Sequence, residues 1–327
     1  MKVLILNKRD VEALLPMQKC IGLMADALVS LARGEVILPL RPVIRIPDSP
    51  NAFALMPAYS KSLRAIGTKL ISVFPGNHGT AVDSHQGAVL LFDGETGSLL
   101  AMMDAASITA IRTAAVSGVA TRLLARTDAS TLAILGSGVQ ARAHLDAMFA
   151  VRAFRKVLVW SRDLGHARAL VATAGPGRPA DFEAVADAKM AVERADVVCT
   201  VTAAREPVLR GEWLRPGTHV NAVGASLATA RELDTETVKR ARVFVDRRES
   251  ALNEAGDLLI PMKEGAISAD HIIAEIGELL NGHNAGRQND SEITVFKSLG
   301  IAVEDLAAAH YLHDHARREG TGTWVEL

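Results

Sequence analysis

The chain has 327 residues, with 36 basic and 37 acidic side chains and 49% hydrophobic residues. At roughly 150 residues per domain, this length predicts about two domains, each large enough for its own hydrophobic core. A net charge of −1 lacks the basic footprint that nucleic-acid binding requires, so we expect no nucleic-acid partner. No apolar run approaches the roughly 18 residues that span a bilayer, so we expect no membrane partner either.

The cysteines and the amino terminus indicate the compartment. Cys20 and Cys199 lie in apolar segments, and two cysteines are too few for a secreted disulfide framework. The first apolar run, VLIL, is too short for a signal peptide. We therefore expect reduced, buried thiols in a cytoplasmic protein.

The first part of the chain divides into a helical segment and a β-rich segment. After the strand VLIL, we expect a helix to begin near Asp10 and to stop at Gly34. From Leu38 to Leu100, short β-type runs alternate with turn residues, which predicts an antiparallel sheet. An alanine-rich helix, from about Ser107 to Ala125, follows this sheet.

Beyond Ala129, apolar strands alternate with helical stretches. The strand TLAIL precedes a helical pattern from Ser137 to Val151, and further buried-type strands are KVLVW, DVVCTVT, HVNAV and RVFV. Continuous apolar strands that alternate with helices are typical of a parallel sheet covered on both faces. The predicted fold class is therefore α/β, with a doubly wound parallel sheet in this part of the chain.

The carboxyl-terminal segment differs from these strand–helix units. Residues 295–320, VFKSLGIAVEDLAAAHYLHDHARREG, predict one long helix with Gly300 near its start. We expect this helix to cross back and pack on the amino-terminal part, which would make that domain discontinuous.

A glycine-rich loop predicts a dinucleotide site. The pattern G-x-G-x-x-A directly follows the strand TLAIL and opens a helix, and it consists of Gly136, Ser137, Gly138, Val139, Gln140 and Ala141. The first glycine permits a tight turn, and the second lets the backbone approach a pyrophosphate. The helix amino terminus then stabilises the negative charge of the phosphates.

The end of the second strand of this unit bears on which nicotinamide cofactor binds. An NAD site usually has an acidic residue there, which accepts a hydrogen bond from the ribose 2′-hydroxyl. Here VLVW is followed by Ser161, Arg162 and Asp163. A hydroxyl and a guanidinium suit a 2′-phosphate, and Asp163 can instead cap the next helix. The sequence therefore favours NADPH, with NADH possible.

Seven short motifs are distributed along most of the chain. They are MPAYS (56–60), TKL (68–70), SHQ (84–86), RTAAVS (112–117), GSGVQA (136–141), NAVGAS (221–226) and VFKSLGIAVEDLAAA (295–309). Together they resemble the ornithine cyclodeaminase/mu-crystallin family, and most closely its ketimine reductase branch. The resemblance implies a homodimer in which a Rossmann-type sheet is inserted into an α+β substrate-binding and dimerisation domain. We assign residues 1–120 and 300–327 to that domain, and residues 121–299 to the NAD(P)-binding domain.

The resemblance also implies where the substrate binds. By motif position, Arg45, Lys69 and Arg112 correspond to basic residues around the carboxylate of a small amino, imino or keto acid and around its reacting carbon. A guanidinium can hold a carboxylate in bidentate geometry and so orient the C=N face. Lys69 can donate to the carboxylate or to the developing amine, and two nearby arginines are expected to lower its pKa.

Two further candidates follow from the same motifs. Ornithine cyclodeaminases have an aspartate where this chain has Ser226, and a serine is a hydrogen-bond partner rather than a carboxylate base. This difference favours a reductase whose substrate is already an imine, although Ser226 could equally cap the next helix. His85 is a candidate proton donor or cofactor contact.

The remaining implied contacts are with the cofactor. By family position, we expect Thr113, Thr200, Val201, Val223 and Lys297 to contact it. No metal is expected, because His310, His313 and His315 have no accompanying cysteine and histidine pattern.

The activity that this resemblance implies is NAD(P)H-dependent reduction of a cyclic ketimine carboxylate, Δ1-pyrroline-2-carboxylate or Δ1-piperideine-2-carboxylate, to the L-imino acid. Ornithine cyclodeamination and alanine dehydrogenase-type chemistry on the same site are the first alternatives. A non-catalytic protein that binds a small ligand in the same pocket is the second.

Overall fold

The computed structural model describes residues 2–77 and 80–327, which divide into two compact units. The first unit comprises Met1–Arg112 and Gly300–Leu327, and the second comprises Thr113–Leu299. Helix α3 (Ala105–Leu124) contains the boundary between Arg112 and Thr113. Strands and helices are numbered along the chain.

The first unit contains an eight-stranded sheet. Its strands are β1 (Lys2–Leu6), β2 (Val36–Ile37), β3 (Val43–Arg45), β4 (Ala52–Ser60), β5 (Ala65–Val73), β6 (His85–Asp93), β7 (Leu99–Asp104) and β16 (Thr323–Glu326). The order is β16-β1-β7-β6-β5-β4-β2, with β3 also paired to β4. The neighbours from β4 to β7 are antiparallel, which confirms the sequence prediction, whereas β1 and β7 are parallel.

Two amino-terminal helices replace the single helix that the sequence predicted. They are α1 (Lys8–Leu14) and α2 (Met17–Ala32), and they meet at an angle of 84°. The prediction was wrong because Pro16 lies between them, where it disfavours helical backbone in the preceding residue and removes a backbone donor. The predicted stop at Gly34 is confirmed, since this residue has a φ of 71° just after α2.

The predicted carboxyl-terminal helix is wrong at its start. Residues Ile293–Lys297 form strand β15 of the second unit, and helix α11 (Ala302–Glu319) begins only after Gly300. The run ITVF is β-branched and aromatic, which suits a buried strand. Helix α11 packs on β4, β5 and β6 within the first unit, and it ends at Gly320 in the left-handed conformation.

The second unit contains an eight-stranded sheet in which all neighbours are parallel. Its strands are β8 (Thr131–Leu135), β9 (Lys156–Trp160), β10 (Asp181–Val185), β11 (Val197–Thr200), β12 (His219–Ala222), β13 (Ala241–Val245), β14 (Ile272–Glu275) and β15, in the order β10-β9-β8-β11-β12-β15-β13-β14. The predicted parallel α/β sheet is confirmed. The order reverses direction at β8, and a ligand crevice forms at such a point, outside the carboxyl ends of the strands.

Short helices connect these strands. They are α4 (Val139–Val151), α5 (Leu164–Ala174), α6 (Ala188–Val192), α7 (Thr235–Arg240), α8 (Arg248–Glu254), α9 (Gly256–Lys263) and α10 (Ile276–Leu280). Aliphatic side chains from the strands and from helices α6 to α9 form a buried core. Cys20 and Cys199 are buried free thiols, as the sequence predicted, and burial raises the pKa of Cys199 to about 12.

Within residues 2–77 and 80–327, no single helix has both the length and the apolar character needed to cross a membrane. Helices α1 and α2 reach that length and apolar character only when they are counted together, and the chain bends sharply between them.

Candidate active site

Lys69 lies on the face of the first sheet that helix α11 covers. Alternation along β5 places it on the same face as Gly67, where a Cβ would come within 2.9 Å of Leu306 in α11. Asp305, the residue directly before Leu306 in α11, pairs with Lys69, and the Nζ of Lys69 and the Oδ2 of Asp305 are 2.9 Å apart. Lys69 is 2% exposed, so the ammonium is paired inside the unit.

Arg112 joins the same carboxylate. Its Nε donates to Oδ1 of Asp305 at 3.0 Å, and its Nη1 donates to Oε2 of Glu304 at 2.7 Å. The guanidinium packs against Gly300, where a Cβ would come within 2.2 Å of Nη1. We call Lys69, Arg112, Glu304 and Asp305 the buried charge cluster. Its two cations and two carboxylates are each at most 3% exposed.

Burial and mutual attraction act on this cluster in opposite directions. Burial lowers the pKa of Lys69, the charge of Arg112 lowers it further, and Asp305 offsets part of the effect, which leaves a pKa of about 8. Burial alone would raise the pKa of Asp305, but the charges of Arg112 and Lys69 outweigh it and hold that pKa below its usual range. At neutral pH, Lys69 is therefore a charged donor that releases its proton more readily than an ordinary lysine.

Sequence reasoning did not identify Glu304, Asp305 or Arg41 as site residues. The charge of Arg41 also lowers the pKa of Lys69. A signal for the two acids was present, because they stand side by side in a segment whose neighbours are alanine, valine and leucine. Charged side chains are seldom buried in such a setting unless they are paired.

The structure does not bring every predicted substrate residue to the buried charge cluster. Arg45 is exposed at the end of β3, opposite Ala52, and the ion pairs of the cluster, as far as the chain is described, do not include it. His85 is exposed at the start of β6, and its Nδ1 lies 3.1 Å from the hydroxyl of Ser84. Ser226 is exposed in a loop of the second unit. Asp234 caps the next helix, so the helix-capping alternative for Ser226 is wrong.

The glycine-rich loop has the geometry that a dinucleotide requires. Gly136 has a φ of 133°, and a Cβ there would lie 2.6 Å from the carbonyl oxygen of Val201. Gly138 is the N-cap of α4, no side chain caps this helix, and a Cβ at Gly138 would meet no atom within 4 Å. The N–H groups in the first turn of a helix have no carbonyl partner within that helix, and an uncapped helix start that leaves room at Gly138 fits the pyrophosphate of a nicotinamide dinucleotide.

At the neighbouring strand end, two serines meet. The hydroxyls of Ser137 and Ser161 are 3.0 Å apart, and Arg162 is exposed beside them. Asp163 caps α5 by accepting a hydrogen bond from the N–H of Gly165 at 2.7 Å. The carboxylate that could accept a hydrogen bond from an NAD ribose therefore caps a helix instead.

The other predicted cofactor contacts lie at or next to strand ends in the second unit, except Thr113, which is buried in α3. Thr200 ends β11 and precedes Val201, Val223 follows β12, and Lys297 ends β15. Thr200 and Lys297 have no exposed surface, and their side chains contact buried carboxylates. In the part of the chain that the structure describes, no three histidine, cysteine, aspartate or glutamate side chains are grouped to hold a metal ion.

Comparison with known proteins assigns the family. The family model described as ornithine cyclodeaminase/mu-crystallin matches residues 1–320. The chain belongs to that family.

Members of this family that have named activities closely resemble this chain. The ketimine reductase mu-crystallin of Mus musculus is 44% identical over 281 residues, which is 86% of each chain. The structure of the Thermococcus litoralis Δ1-pyrroline-2-carboxylate reductase in complex with NADH and L-proline matches with a TM-score of 0.96 and 40% identity, over 98% of this chain and 99% of that one. An archaeal alanine dehydrogenase dimer with bound NAD matches over the whole of both chains, with a TM-score of 0.94 and 31% identity.

Proposed function

We propose that this protein is an NAD(P)H-dependent reductase of a cyclic ketimine carboxylate, Δ1-pyrroline-2-carboxylate or Δ1-piperideine-2-carboxylate, and that the product is the L-imino acid. The observation that carries the proposal is the buried charge cluster, in which Lys69 of β5 and Arg112 of α3 are paired with buried carboxylates of α11. The near-complete match to a pyrroline-2-carboxylate reductase with NADH and L-proline bound supports the same substrate class.

Arg112 would hold the substrate carboxylate. Its Nε and Nη1 donate to Asp305 and Glu304, and because a guanidinium carries five N–H donors, we propose that the others reach a carboxylate oxygen of the substrate. Because two carboxylates already fix the guanidinium, little side-chain entropy is lost when substrate binds. Arg45 is proposed as a second cation for the same carboxylate, and His85 and Ser226 as further polar contacts.

Lys69 would supply the proton. A protonated iminium is a better hydride acceptor than a neutral imine, and a pKa of about 8 leaves Lys69 protonated at neutral pH yet able to donate. The ammonium gives its proton to the imine nitrogen, and solvent later restores it. The nicotinamide, when bound, supplies the hydride that the substrate C2 accepts.

The chain's own residues would hold that cofactor along the carboxyl ends of the second sheet. The N–H groups at the start of α4 would bind the pyrophosphate, and Ser161 and Arg162 would bind a ribose 2′-phosphate. Because Asp163 is engaged in capping α5, we propose a preference for NADPH, with NADH as the weaker cofactor.

A reduction assay that follows the cofactor absorbance, with both cyclic imines and both cofactors from pH 5 to pH 8, tests the function. We expect turnover of at least one imine, and loss of turnover in Lys69→Ala. If no combination is turned over, the proposed function is wrong. Ligand binding that survives without turnover would instead indicate a non-catalytic binding protein.

One alternative reaction is favoured by a specific observation, the match to the archaeal alanine dehydrogenase. Ammonia-dependent oxidation of NAD(P)H with pyruvate would support it. Ammonia release from ornithine without net cofactor consumption would support a cyclodeaminase, which the serine at position 226 disfavours.

We also propose that the protein acts as a cytoplasmic homodimer. Ile66 in β5 and Met102 in β7 lie on one face of the first sheet, because Thr68 pairs with Leu90 and Leu90 pairs with Met102. Ile66 and Met102 are 39% and 40% exposed, and alternation puts them opposite the face that α11 covers. A second copy of this chain would cover that apolar face.

A further inference from the structure

Three fully buried charged side chains in the second unit have no part in the chemistry proposed above. Glu232, Asp257 and Lys297 are each 0% exposed. They lie beside the carboxyl ends of the strands, where Lys297 ends β15 and Glu232 lies in the segment after β12. Two carboxylates with one ammonium are costly to bury unless hydrogen bonds satisfy them, so their partners show what they hold in place.

Glu232 joins two loops. Its Oε1 accepts hydrogen bonds from the backbone N–H and the hydroxyl of Thr202, at 2.7 and 2.6 Å, in the loop after β11. Its Oε2 accepts from the backbone N–H of Gly224 at 2.7 Å, in the loop after β12, and from the hydroxyl of Thr200 at 2.8 Å. One carboxylate thus fixes the backbone of both loops.

The approach of Gly224 to this carboxylate is unusually close. A Cβ on Gly224 would lie 2.5 Å from Oε1 of Glu232 and 2.1 Å from the carbonyl oxygen of Thr202. Only a glycine at this position lets the two loops come so near each other, so the loop after β12 follows the conformation that Glu232 sets.

Asp257 and Lys297 hold Glu232 from the other side. Oδ1 of Asp257 accepts the backbone N–H groups of Glu232 and Leu233, at 2.7 and 2.9 Å. Its Oδ2 pairs with Nζ of Lys297 at 3.0 Å, and that ammonium also donates to the carbonyl oxygen of Ala222, the last residue of β12, at 3.2 Å. The three side chains therefore connect the ends of β11, β12 and β15.

The position of these loops relates them to one half of the cofactor. In a doubly wound sheet the pyrophosphate lies at the first strand–helix turn, here between β8 and α4, and the adenosine ribose lies at the end of the second strand, here β9. The nicotinamide half then extends to the opposite side of β8, over the ends of β11 and β12. Those are the ends that Glu232 joins.

We propose that Glu232, supported by Asp257 and Lys297, is a positioning residue that shapes the loops after β11 and β12 around the nicotinamide half of the dinucleotide. The inference rests on the nicotinamide cofactor of the proposed function. Thr200 and Lys297 then act on the cofactor through these buried carboxylates.

Glu232→Gln tests this inference, because each oxygen of Glu232 accepts from a different backbone N–H. Whichever way the amide turns, its NH2 group faces either Thr202 N–H or Gly224 N–H, and one loop must shift. The readout is the dissociation constant, by calorimetry, of NADPH and NADH and of their fragments 2′-phospho-ADP-ribose and ADP-ribose, which lack nicotinamide. We expect the dinucleotides to bind about tenfold more weakly and the fragments to change less than about twofold.

Glu183→Gln is the matched control. Glu183 is a half-exposed glutamate of β10 in the same unit, paired with Arg194, and its substitution is expected to leave all four affinities unchanged. If Glu232→Gln does not fold, Thr202→Val removes one hydroxyl donor to Oε1 and is expected to show the same selective loss, about threefold.

Equal weakening of dinucleotides and fragments, or no weakening of either, would overturn the inference. A wild-type protein that binds no nicotinamide dinucleotide would overturn it as well. A wild-type protein that binds a dinucleotide but reduces neither imine would remove the proposed function only, and the affinities of Glu232→Gln would still decide this inference.

Discussion

Replacing Asp305 with asparagine removes one charge from the buried charge cluster without changing its shape. The side chain accepts from Lys69 through Oδ2 and from Arg112 through Oδ1, at 2.9 and 3.0 Å. Asparagine has one acceptor oxygen, so its NH2 group must face one of the two cations. Lys69 and Arg112 then share a single buried counter-charge, that of Glu304.

The distances give the expected loss of unfolding free energy and the expected fall in the pKa of Lys69. A unit pair at 2.9 Å in an effective dielectric of about 20 has a gross attraction of about 6 kcal/mol. Breaking a buried pair by removing one partner costs about 3–5 kcal/mol of unfolding free energy. If only a quarter of the gross attraction bears on protonation of Lys69, its pKa falls by about one unit, since one unit is about 1.4 kcal/mol.

The pH profile gives the sign of the effect. Lys69 donates only when protonated, so kcat/KM falls as the pH rises through its pKa of about 8. Asp305→Asn lowers that pKa, so the alkaline limb of the profile is expected to shift to lower pH by about one unit. Activity lost at pH 7.5 should therefore return in part near pH 6.

Asp314→Asn is the matched control, because Asp314 lies on the same helix with a side chain 49% exposed. It is expected to change the unfolding free energy by less than about 0.5 kcal/mol and to leave the profile in place. The reasoning is refuted if Asp305→Asn keeps the wild-type alkaline limb and the wild-type denaturation midpoint.

Three further changes have expected outcomes. Arg162→Ala should weaken NADPH about tenfold and NADH less than about twofold by calorimetry, and equal effects would remove the argument for a 2′-phosphate contact. Gly300→Ala places a Cβ against the guanidinium of Arg112 at a φ of 70°, so we expect a loss of about 1–3 kcal/mol in denaturant unfolding and a raised KM for the imine. An unchanged KM would show that Arg112 shifts freely, whereas the strain of the left-handed backbone should lower the unfolding free energy in either case. Ile66→Lys should give a monomer by light scattering, whereas Met190→Lys, which places a charge at a somewhat more exposed apolar site in α6 of the second unit, should not.

Features that depend on neighbouring residues could be predicted from the sequence. The glycine loop needed only the strand TLAIL before Gly136 and the helical pattern after Gly138, and the structure has both elements there. The antiparallel strands from Ala52 to Asp104 were separated by recognisable turns, so their pairing was local.

Features that depend on distant pairing could not be predicted. β15 lies between β12 and β13, and only that position shows that Ile293–Lys297 is a strand rather than the start of a helix. Asp305 is separated from Lys69 by more than two hundred residues, so no local pattern links the two. Glu232 likewise shows its role only when the loops after β11 and β12 are placed side by side.

The covering of the first sheet by α11 has a consequence for the order in which the chain folds. The strands of that sheet up to β7 are synthesised within the first 104 residues, whereas α11 comes from the last 26. Until α11 emerges, the apolar face of β4, β5 and β6 is bare, and Lys69 and Arg112 lack their carboxylates. The second unit, continuous from Thr113 to Leu299, can complete its core during synthesis, so the first unit is the part of a nascent or truncated chain that remains exposed to proteases and to aggregation.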